Sequence, residues 1–173
     1  MTSLLPAWAD KFEPDALGPV AGLPSPLTRD WAWGGATGAG VKVAVVDSGV
    51  EAAHPAVGGV AGAVSVDVGP DGATFTNGPH DDRFGHGTAC AGIIRRAAPD
   101  VELYSVRVLG PTLKGTGAAF AAGIRWCIDN GMQVLNLSLS TRSKDHFGPL
   151  HELADEAYFR GMMLVGAINN VEA

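Results

Sequence analysis

The chain has 173 residues, of which 46% are hydrophobic and only 17% are charged. This balance predicts one globular domain, or most of one, with enough apolar side chains for a sizeable core. The formal net charge is −6, and the basic residues are scattered apart from the pair Arg95-Arg96. Such a chain lacks the basic patch of a nucleic-acid-binding protein, so we expect no nucleic-acid partner.

The termini and the cysteines bear on location. The longest apolar run near the C-terminus, residues 162–168, is too short to span a bilayer, and the stretch "MTSLLPAWADKFEP" lacks the regions of an export signal. Cys90 and Cys127 form no CxxC pair and lie in segments with the pattern of buried helices, which favours reduced thiols over a disulfide or a metal site. We therefore expect a cytoplasmic protein with no membrane partner.

The first part of the chain is rich in proline. Residues 1–27 contain five prolines, a pattern typical of an extended arm. A short helix is predicted over residues 28–33, with Thr28 as its N-cap, before the glycine-rich link "GGATGAG". The regular alternation of strands and helices is expected to begin after this link.

The first strong strand is "VKVAVV", residues 41–46, a β-branched run typical of a buried parallel strand, and it ends at Asp47. Residues 57–84 are rich in glycine, proline and aspartate and are predicted to form loops with short strands. The stretch "RFGHGTACAGII" then predicts a tightly packed helix that begins near Thr88, with His86 in its first turn or just before it. The glycines beside His86 leave room for another chain to approach the imidazole.

The rest of the chain alternates strands with helices. Strands are predicted at residues 102–108, at "QVLNLSL" and at "MMLVGAI", and helices over residues 118–130 and 150–160. This alternation predicts an α/β fold: three layers, with a mostly parallel sheet covered by helices on both faces. In such sheets the functional residues lie at the carboxyl ends of the strands, where Asp47, residues 138–140 and Asn169-Asn170 are expected.

The residues also bear on two other kinds of site, a dinucleotide-binding site and a metal site. A dinucleotide site requires its glycines after the strand and at the start of a helix, whereas "GGATGAG" precedes the strand and no GxxxxGK[ST] stretch exists. A metal site is suggested by His80, Asp81, Asp82 and His86 in "HDDRFGH", but their spacing is not that of a recognised zinc site. The residues therefore favour neither a dinucleotide site nor a zinc site.

The motifs, in their order along the chain, resemble those of the subtilisin-like serine proteases, the subtilases. "VAVVDSGVEAAHPAV" is similar to the aspartate motif of that family, and "GHGTACAGII" is similar to its histidine motif. The stretches "APDVELYSVRVL", "GIRWCIDNGMQVLNLSLS" and "GMMLVGAINN" continue the family's order. The resemblance covers roughly residues 28–172, after the proline-rich arm over residues 1–27. It implies the N-terminal part of a peptidase domain over residues 28–173, incomplete on its C-terminal side.

The resemblance also implies roles for individual residues. Asp47 would orient His86, and His86 would act as general base and then general acid. Asn170 would stabilise the oxyanion; the family usually has glycine immediately before this asparagine, and a shift of one position would give the role to Asn169. Cys90 resembles the thiol that proteinase-K-like enzymes carry just after the catalytic histidine, and it is expected to be a packed thiol rather than a nucleophile.

Two segments resemble the walls of a peptide-binding cleft. Residues Ser138, Leu139 and Ser140 resemble the lining of the pocket for the side chain before the scissile bond. Residues Gly115, Thr116 and Gly117 resemble the opposite edge, where a peptide is held as an added strand. Each segment also fits an ordinary strand end or helix start. No cofactor is required, although calcium is possible in the region Asp67–Asp82.

The family's nucleophile is absent from the sequence. None of the eight serines stands in the Gly-Thr-Ser-Met/Phe-Ala motif that carries it: Ser3, Ser25, Ser48, Ser65, Ser105, Ser138, Ser140 and Ser143. The resemblance therefore implies a serine endopeptidase whose serine is supplied by a C-terminal segment absent from this chain, acting on a peptide or protein substrate. The alternative is a catalytically inactive relative that binds peptides.

Overall fold

The computed structural model describes residues 26–141 and 143–167. The chain divides into two compact units, Met1–Ala36 and Thr37–Ala173. In the first unit, helix α1 (Arg29–Trp33) begins as predicted, because Thr28 Oγ1 accepts a hydrogen bond from the Trp31 N–H at 3.2 Å. Apart from its last two residues, the predicted arm, 1–27, lies outside the described residues.

The second unit contains one mixed sheet and three α-helices among the described residues. Its elements, in chain order, are β1 (Lys42–Asp47), β2 (Gly62–Gly69), β3 (Gly72–Asn77), α2 (His86–Ala97), β4 (Glu102–Arg107), α3 (Gly117–Asp129), β5 (Val134–Leu137), a 3₁₀ turn (Lys144–His146), α4 (Phe147–Phe159) and β6 (Met163–Gly166). The strand order is β3-β2-β4-β1-β5-β6, and every neighbouring pair is parallel except β2 with β3. The predicted α/β class with a mostly parallel sheet is confirmed.

Strand β1 pairs with β4 on one side and β5 on the other, and it is buried on both faces because helices pack against each face of the sheet. Its side chains alternate between two cores: Ala44 and Val46 belong to the core that α3 and α4 cover, and Val43 and Val45 belong to the core that α2 covers. The same period of two places Asp47 on the face of Val43 and Val45. The sheet therefore directs the Asp47 side chain toward the helix that begins with His86.

The segment after β1 is more regular than predicted. Residues 57–84 were expected to form loops with short strands, whereas β2 has eight residues and pairs antiparallel with the six residues of β3. Val64 and Val66 alternate with polar residues and are buried, while every residue of β3 is exposed. Some of the glycines and aspartates that suggested loops, such as Asp71 and Gly72, lie at the turn between the two strands, where Gly72 has a φ of 110°.

The helices begin slightly earlier than predicted. Helix α3 starts at Gly117, with the Thr116 hydroxyl accepting from the Ala119 N–H at 3.0 Å, and Gly131 follows it at a φ of 66°. Helix α4 starts at Phe147 rather than at residue 150, because proline is tolerated in the first turn of a helix and Pro149 does not interrupt it. No helix within the described residues is long and apolar enough to cross a bilayer.

Strand β6 forms one edge of the sheet and pairs only with β5 among the described strands. Two of its apolar side chains are largely open to solvent, Met163 at 62% exposed and Val165 at 49% exposed. A groove of about 350 Å³ runs beside it. The groove is lined by the residues Gly38, Val41, Val43, Ile94, Ala97, Ala98, Val101, Val134, Asn136 and Val165.

Candidate active site

Asp47 and His86 meet at the carboxyl edge of the sheet. Asp47 is the last residue of β1 and is fully buried, and His86 is the first residue of α2 with a side chain that is 38% exposed. His86 Nδ1 lies 2.8 Å from Asp47 Oδ2, and Asp47 Oδ1 accepts a hydrogen bond from the Ser48 N–H at 2.7 Å. With both carboxylate oxygens engaged, Asp47 holds the imidazole by Nδ1 and leaves Nε2 available to accept a proton.

Two glycines allow this approach. Gly85 precedes His86 at a φ of 101°, a conformation that side chains strongly disfavour, so the chain can turn directly into the helix. Gly87 packs against the Gly49 carbonyl oxygen, and a Cβ at position 87 would collide with that oxygen and lie 3.1 Å from the Cβ of Asp47. A side chain at position 87 would therefore separate the two motifs.

A second acidic residue, Asp82, supports the pair, and its role was not predicted from the sequence. The Asp82 carboxylate accepts hydrogen bonds from the Ser48 hydroxyl at 2.7 Å, from the N–H groups of Phe84 and Gly85 at 3.0 and 2.8 Å, and from Thr88. Because Asp82 caps the helix from outside, α2 begins at His86, two residues before Thr88. The available signal was an aspartate three residues before a glycine at a helix start.

His86 lines a cleft of about 500 Å³. The cleft is lined by His86, Leu109, Leu113, Lys114, Gly115, Thr116, Gly117, Phe120, Ser138, Leu139, Ser140 and Thr141. All six residues predicted to bind substrate are in this set, on two walls formed by the segment before α3 and the segment after β5. Leu109, Leu113 and Phe120 were not predicted, and they give these walls apolar surface.

The two walls differ in their chemistry. The Thr116 hydroxyl is engaged in capping α3, and Leu113 at the neighbouring turn has a φ of 54°, which is rare for a residue with a side chain. On the other wall, Ser138 Oγ accepts a hydrogen bond from Asn136 Nδ2 at 2.9 Å and lies 3.6 Å from Cys90 Sγ. The hydroxyls of Thr116 and Ser138 thus already have partners within the protein.

The two thiols lie in different surroundings, and only Cys90 is close to other possible metal ligands among the described residues. Cys90 Sγ lies 4.0 Å from His86 Nδ1, and Cys127 is buried in α3, where burial raises the pKa of its thiol to about 12. Among the described residues, Asp47, His86 and Cys90 form the one group of three side chains close enough to share a metal ion. The residues of the zinc hypothesis, in "HDDRFGH", form no such group with one another in the described part of the chain. His80 Nε2 instead lies 2.8 Å from Ser105 Oγ.

The predicted oxyanion residue cannot be placed. Asn170, like its alternative Asn169, lies outside the described residues, which end at position 167 shortly after β6. Its role stays a prediction. Within the described residues, the arrangement supplies an oriented base beside a cleft.

Comparison with known proteins agrees with this geometry. The sequence profile of the Subtilase family matches residues 38–172. The chain is 34% identical to Subtilisin DY from Bacillus licheniformis, over 79% of this chain and 49% of that protein. It is 37% identical to Subtilisin Savinase from Lederbergia lenta, over 79% and 50%, and 33% identical to the Minor extracellular protease Epr from Bacillus subtilis (strain 168), over 84% and 22%.

The chain thus spans about half the length of the two subtilisins that it matches. The match includes the β1 end with Asp47, the α2 start with His86 and both walls of the cleft. A profile match over most of the chain, in addition to this geometry, identifies the family. The chain belongs to the Subtilase family, peptidase family S8.

Proposed function

We propose that this chain provides the acid–base part of a subtilisin-type serine endopeptidase. Asp47 fixes the orientation of His86, and His86 Nε2 takes the proton from a serine hydroxyl and later gives it to the leaving amine. The observation that carries the proposal is the 2.8 Å contact between His86 Nδ1 and Asp47 Oδ2 beside a cleft of about 500 Å³. An oriented base facing such a cleft is what peptide hydrolysis requires.

We propose that the nucleophilic serine comes from a C-terminal segment that is not part of this sequence. The relatives' greater length supports this, since the chain covers only 49% of Subtilisin DY. The chain's own buried serines are poor candidates, because Ser48 and Ser105 are fully buried and Ser65 is 6% exposed. A nucleophile must reach both the base and the substrate.

In this proposal a peptide lies between the two walls. The backbone of Gly115, Thr116 and Gly117 pairs with the peptide as an added strand, and the segment Ser138 to Ser140 borders the side chain before the scissile bond. Asn170 donates to the developing oxyanion, an interaction whose loss typically costs about 10²–10³ in turnover. These roles rest on the family's motifs and on the shared cleft.

A second function is favoured by one observation, the lack of any serine in the family's nucleophile motif. A chain of this kind could bind peptides in the same cleft without hydrolysing them. The two functions differ in whether a serine segment restores cleavage, so one experiment separates them.

The experiment compares the chain alone with the chain supplied with a subtilase C-terminal segment, fused or added in trans, by peptide hydrolysis and fluorophosphonate labelling. We expect no subtilase-like rate for the chain alone and cleavage on reconstitution. In the reconstituted protein, His86→Ala and Asp47→Asn should each lower kcat by about 10⁴ or more, because the serine loses its oriented base. The corresponding serine-to-alanine segment is the matched control.

Two outcomes would contradict the proposal. Labelling of the chain alone at one of its own serines, abolished by His86→Ala, would show that the nucleophile is already present. Reconstitution with a folded segment that gives no cleavage, while peptides still bind with micromolar affinity, would establish the peptide-binding function instead.

Two further expectations stay predictions. Calcium in the region Asp67–Asp82 is testable by calorimetric titration; the side chains of this region form no group of three potential ligands in the described part of the chain, and the Asp82 carboxylate already accepts hydrogen bonds from protein donors. The cytoplasmic location is testable by fractionation, and one similar protein is named an extracellular protease.

A further inference from the structure

The Asp82 carboxylate is hydrogen-bonded to residues from both catalytic motifs. Its Oδ1 accepts from the Ser48 hydroxyl at 2.7 Å and from the Gly85 N–H at 2.8 Å, so one oxygen joins the residue after Asp47 to the residue before His86. Its Oδ2 accepts from the Thr88 N–H at 2.8 Å and from the Thr88 hydroxyl at 2.6 Å. Asp82 therefore contacts the backbone on both sides of His86.

Two of the residues that Asp82 contacts are direct neighbours of Asp47 and His86 in the chain. Ser48 donates its N–H to Asp47 Oδ1 at 2.7 Å and its hydroxyl to Asp82, so a single residue connects the two carboxylates. The Gly85 N–H is held at the position where the chain has a φ of 101°, which sets the direction in which His86 leaves the backbone. A change at Asp82 therefore acts on Asp47 and on His86 together.

The Asp82 carboxylate stays ionised wherever a subtilase would work. Burial raises the pKa of Asp82, but the hydrogen bonds from the Thr88 hydroxyl and from the N–H groups of Gly85, Phe84 and Thr88 outweigh burial and hold the pKa at about 2. An ionised carboxylate accepts hydrogen bonds at both oxygens and donates none. Its protonation would therefore disrupt the network only in strong acid.

We propose that Asp82 is a positioning residue. Through its hydrogen bonds to Ser48, Gly85 and Thr88, it holds Asp47 and His86 within hydrogen-bonding distance of each other. The inference rests on the proposed function for its importance, because positioning matters to catalysis only if His86 is the base. A residue that only capped α2 would contact the helix start. The hydrogen bond to Ser48, on the loop after β1, is what distinguishes positioning from capping.

The test follows the His86 Nδ1 proton by NMR, in protein with ¹⁵N-labelled histidine, with and without the C-terminal segment. Three variants are compared with the parent chain. Asp82→Asn keeps the size of the side chain but turns an amide toward donors. Ser48→Ala removes the hydroxyl that donates to Asp82 and that also accepts from the Gly87 N–H at 3.4 Å. Ala157→Gly lowers stability at a buried position of α4 away from the site.

We expect the Nδ1 proton to exchange with water at least about tenfold faster in Asp82→Asn than in the parent chain, because the pair opens locally more often. Ser48→Ala should change exchange in the same direction by a smaller factor, and it keeps the test valid if Asp82→Asn does not fold. Ala157→Gly should leave the Nδ1 exchange rate as in the parent. In the reconstituted enzyme, Asp82→Asn should lower kcat with little change in KM.

Unchanged Nδ1 exchange in folded Asp82→Asn and in Ser48→Ala would overturn the positioning role, whatever the enzyme's activity. Equal acceleration in Ala157→Gly would also overturn it, since the effect would then follow global stability. Faster exchange in the two site variants together with a reconstituted protein that cleaves no peptide would instead remove the protease proposal and keep the positioning role.

Discussion

His80 lies between two serines on neighbouring strands, close to the site but outside the Asp47–His86 pair. Its Nε2 is 2.8 Å from Ser105 Oγ on β4, and its Nδ1 is 3.4 Å from Ser65 Oγ on β2. Burial lowers the pKa of His80 below its usual 6.5, and the positive charge of Arg107 lowers it further, while Asp81 and Asp82 act in the opposite direction. The folded protein therefore favours the neutral imidazole.

The lowered pKa of His80 predicts that the stability of the protein decreases in mild acid. Above pH 6.5 His80 is neutral in both folded and unfolded chains, and as the pH falls below 6.5 the unfolded chain gains a proton first, so stability decreases toward the folded pKa. His80→Gln should flatten the stability curve below pH 6.5. Urea unfolding at a series of pH values measures this, with the exposed His151→Gln as control. An unchanged pH dependence in His80→Gln would contradict it.

The sequence was enough to locate the Asp47–His86 pair, but not to predict the contacts of Asp82 and His80. Asp47 and His86 could be located because each stands in a motif at the end of a predicted element, and the structure places them in contact. Asp82 and His80 were weighed only as metal ligands, because composition shows that polar groups are near one another but not where they point. Their partners, Ser48 just after β1 and Ser105 on β4, are 34 and 25 residues away in sequence.

At the scale of elements, α3 packs against the sheet through a glycine. A Cβ at Gly123 would lie 2.7 Å from Val108 Cγ1 and 3.4 Å from Val106 Cγ1 and Val46 Cγ1. The helix therefore approaches the carboxyl ends of β1 and β4 more closely than alanine would allow. This approach matters for function because α3 begins at the wall of the cleft.

Gly123→Ala should destabilise the protein, although alanine is the better helix former. Overpacking costs about 1–3 kcal/mol, whereas the gain in helix propensity is about 1 kcal/mol. Val108→Ala removes the closest atom, so the double variant should lose less stability than the sum of the single variants, by about 0.5 kcal/mol or more. Denaturant unfolding of all four proteins measures the coupling. Strict additivity would show that Val108 is not the limiting contact.

The order of elements was predictable from periodicity, but several boundaries were not. The strand after β1 alternates apolar and polar residues, and its partner β3 is exposed throughout, so glycine and aspartate content outweighed the strand signal. The start of α2 depends on Asp82, a cap that lies outside the helix and three residues before Gly85. Local sequence predicts the period of an element better than the contacts that end it.

At the scale of the molecule, the sheet has two unlike edges. β3 closes one edge with exposed polar residues and Phe75, which is 42% exposed, while β6 closes the other with Met163 and Val165 beside the apolar groove. An apolar edge strand with open hydrogen-bonding groups tends to pair with another chain. Under the proposed function, the serine-bearing segment covers this edge.

The isolated chain should therefore bind a hydrophobic dye such as ANS and melt at a lower temperature than the chain with its C-terminal segment. Val165→Asp should weaken dye binding and abolish the response to the segment, because it places a charge in the groove. Phe75→Asp, at the opposite edge, is the matched control and should keep the response. A cooperative, high-temperature melt of the isolated monomer without dye binding would show that the edge needs no cover.

Gly87 has a consequence for how this family can diverge. Its missing Cβ is what lets the Gly49 carbonyl and Asp47 approach the start of α2, so any substitution at position 87 separates the acid from the base before it alters either of them. Under the proposed function, we expect a lineage that still hydrolyses peptides to keep glycine at this position, whereas a lineage that has lost hydrolysis is released from this constraint. The residue at position 87 in related sequences is thus a test of whether the aspartate and the histidine still work as a catalytic pair.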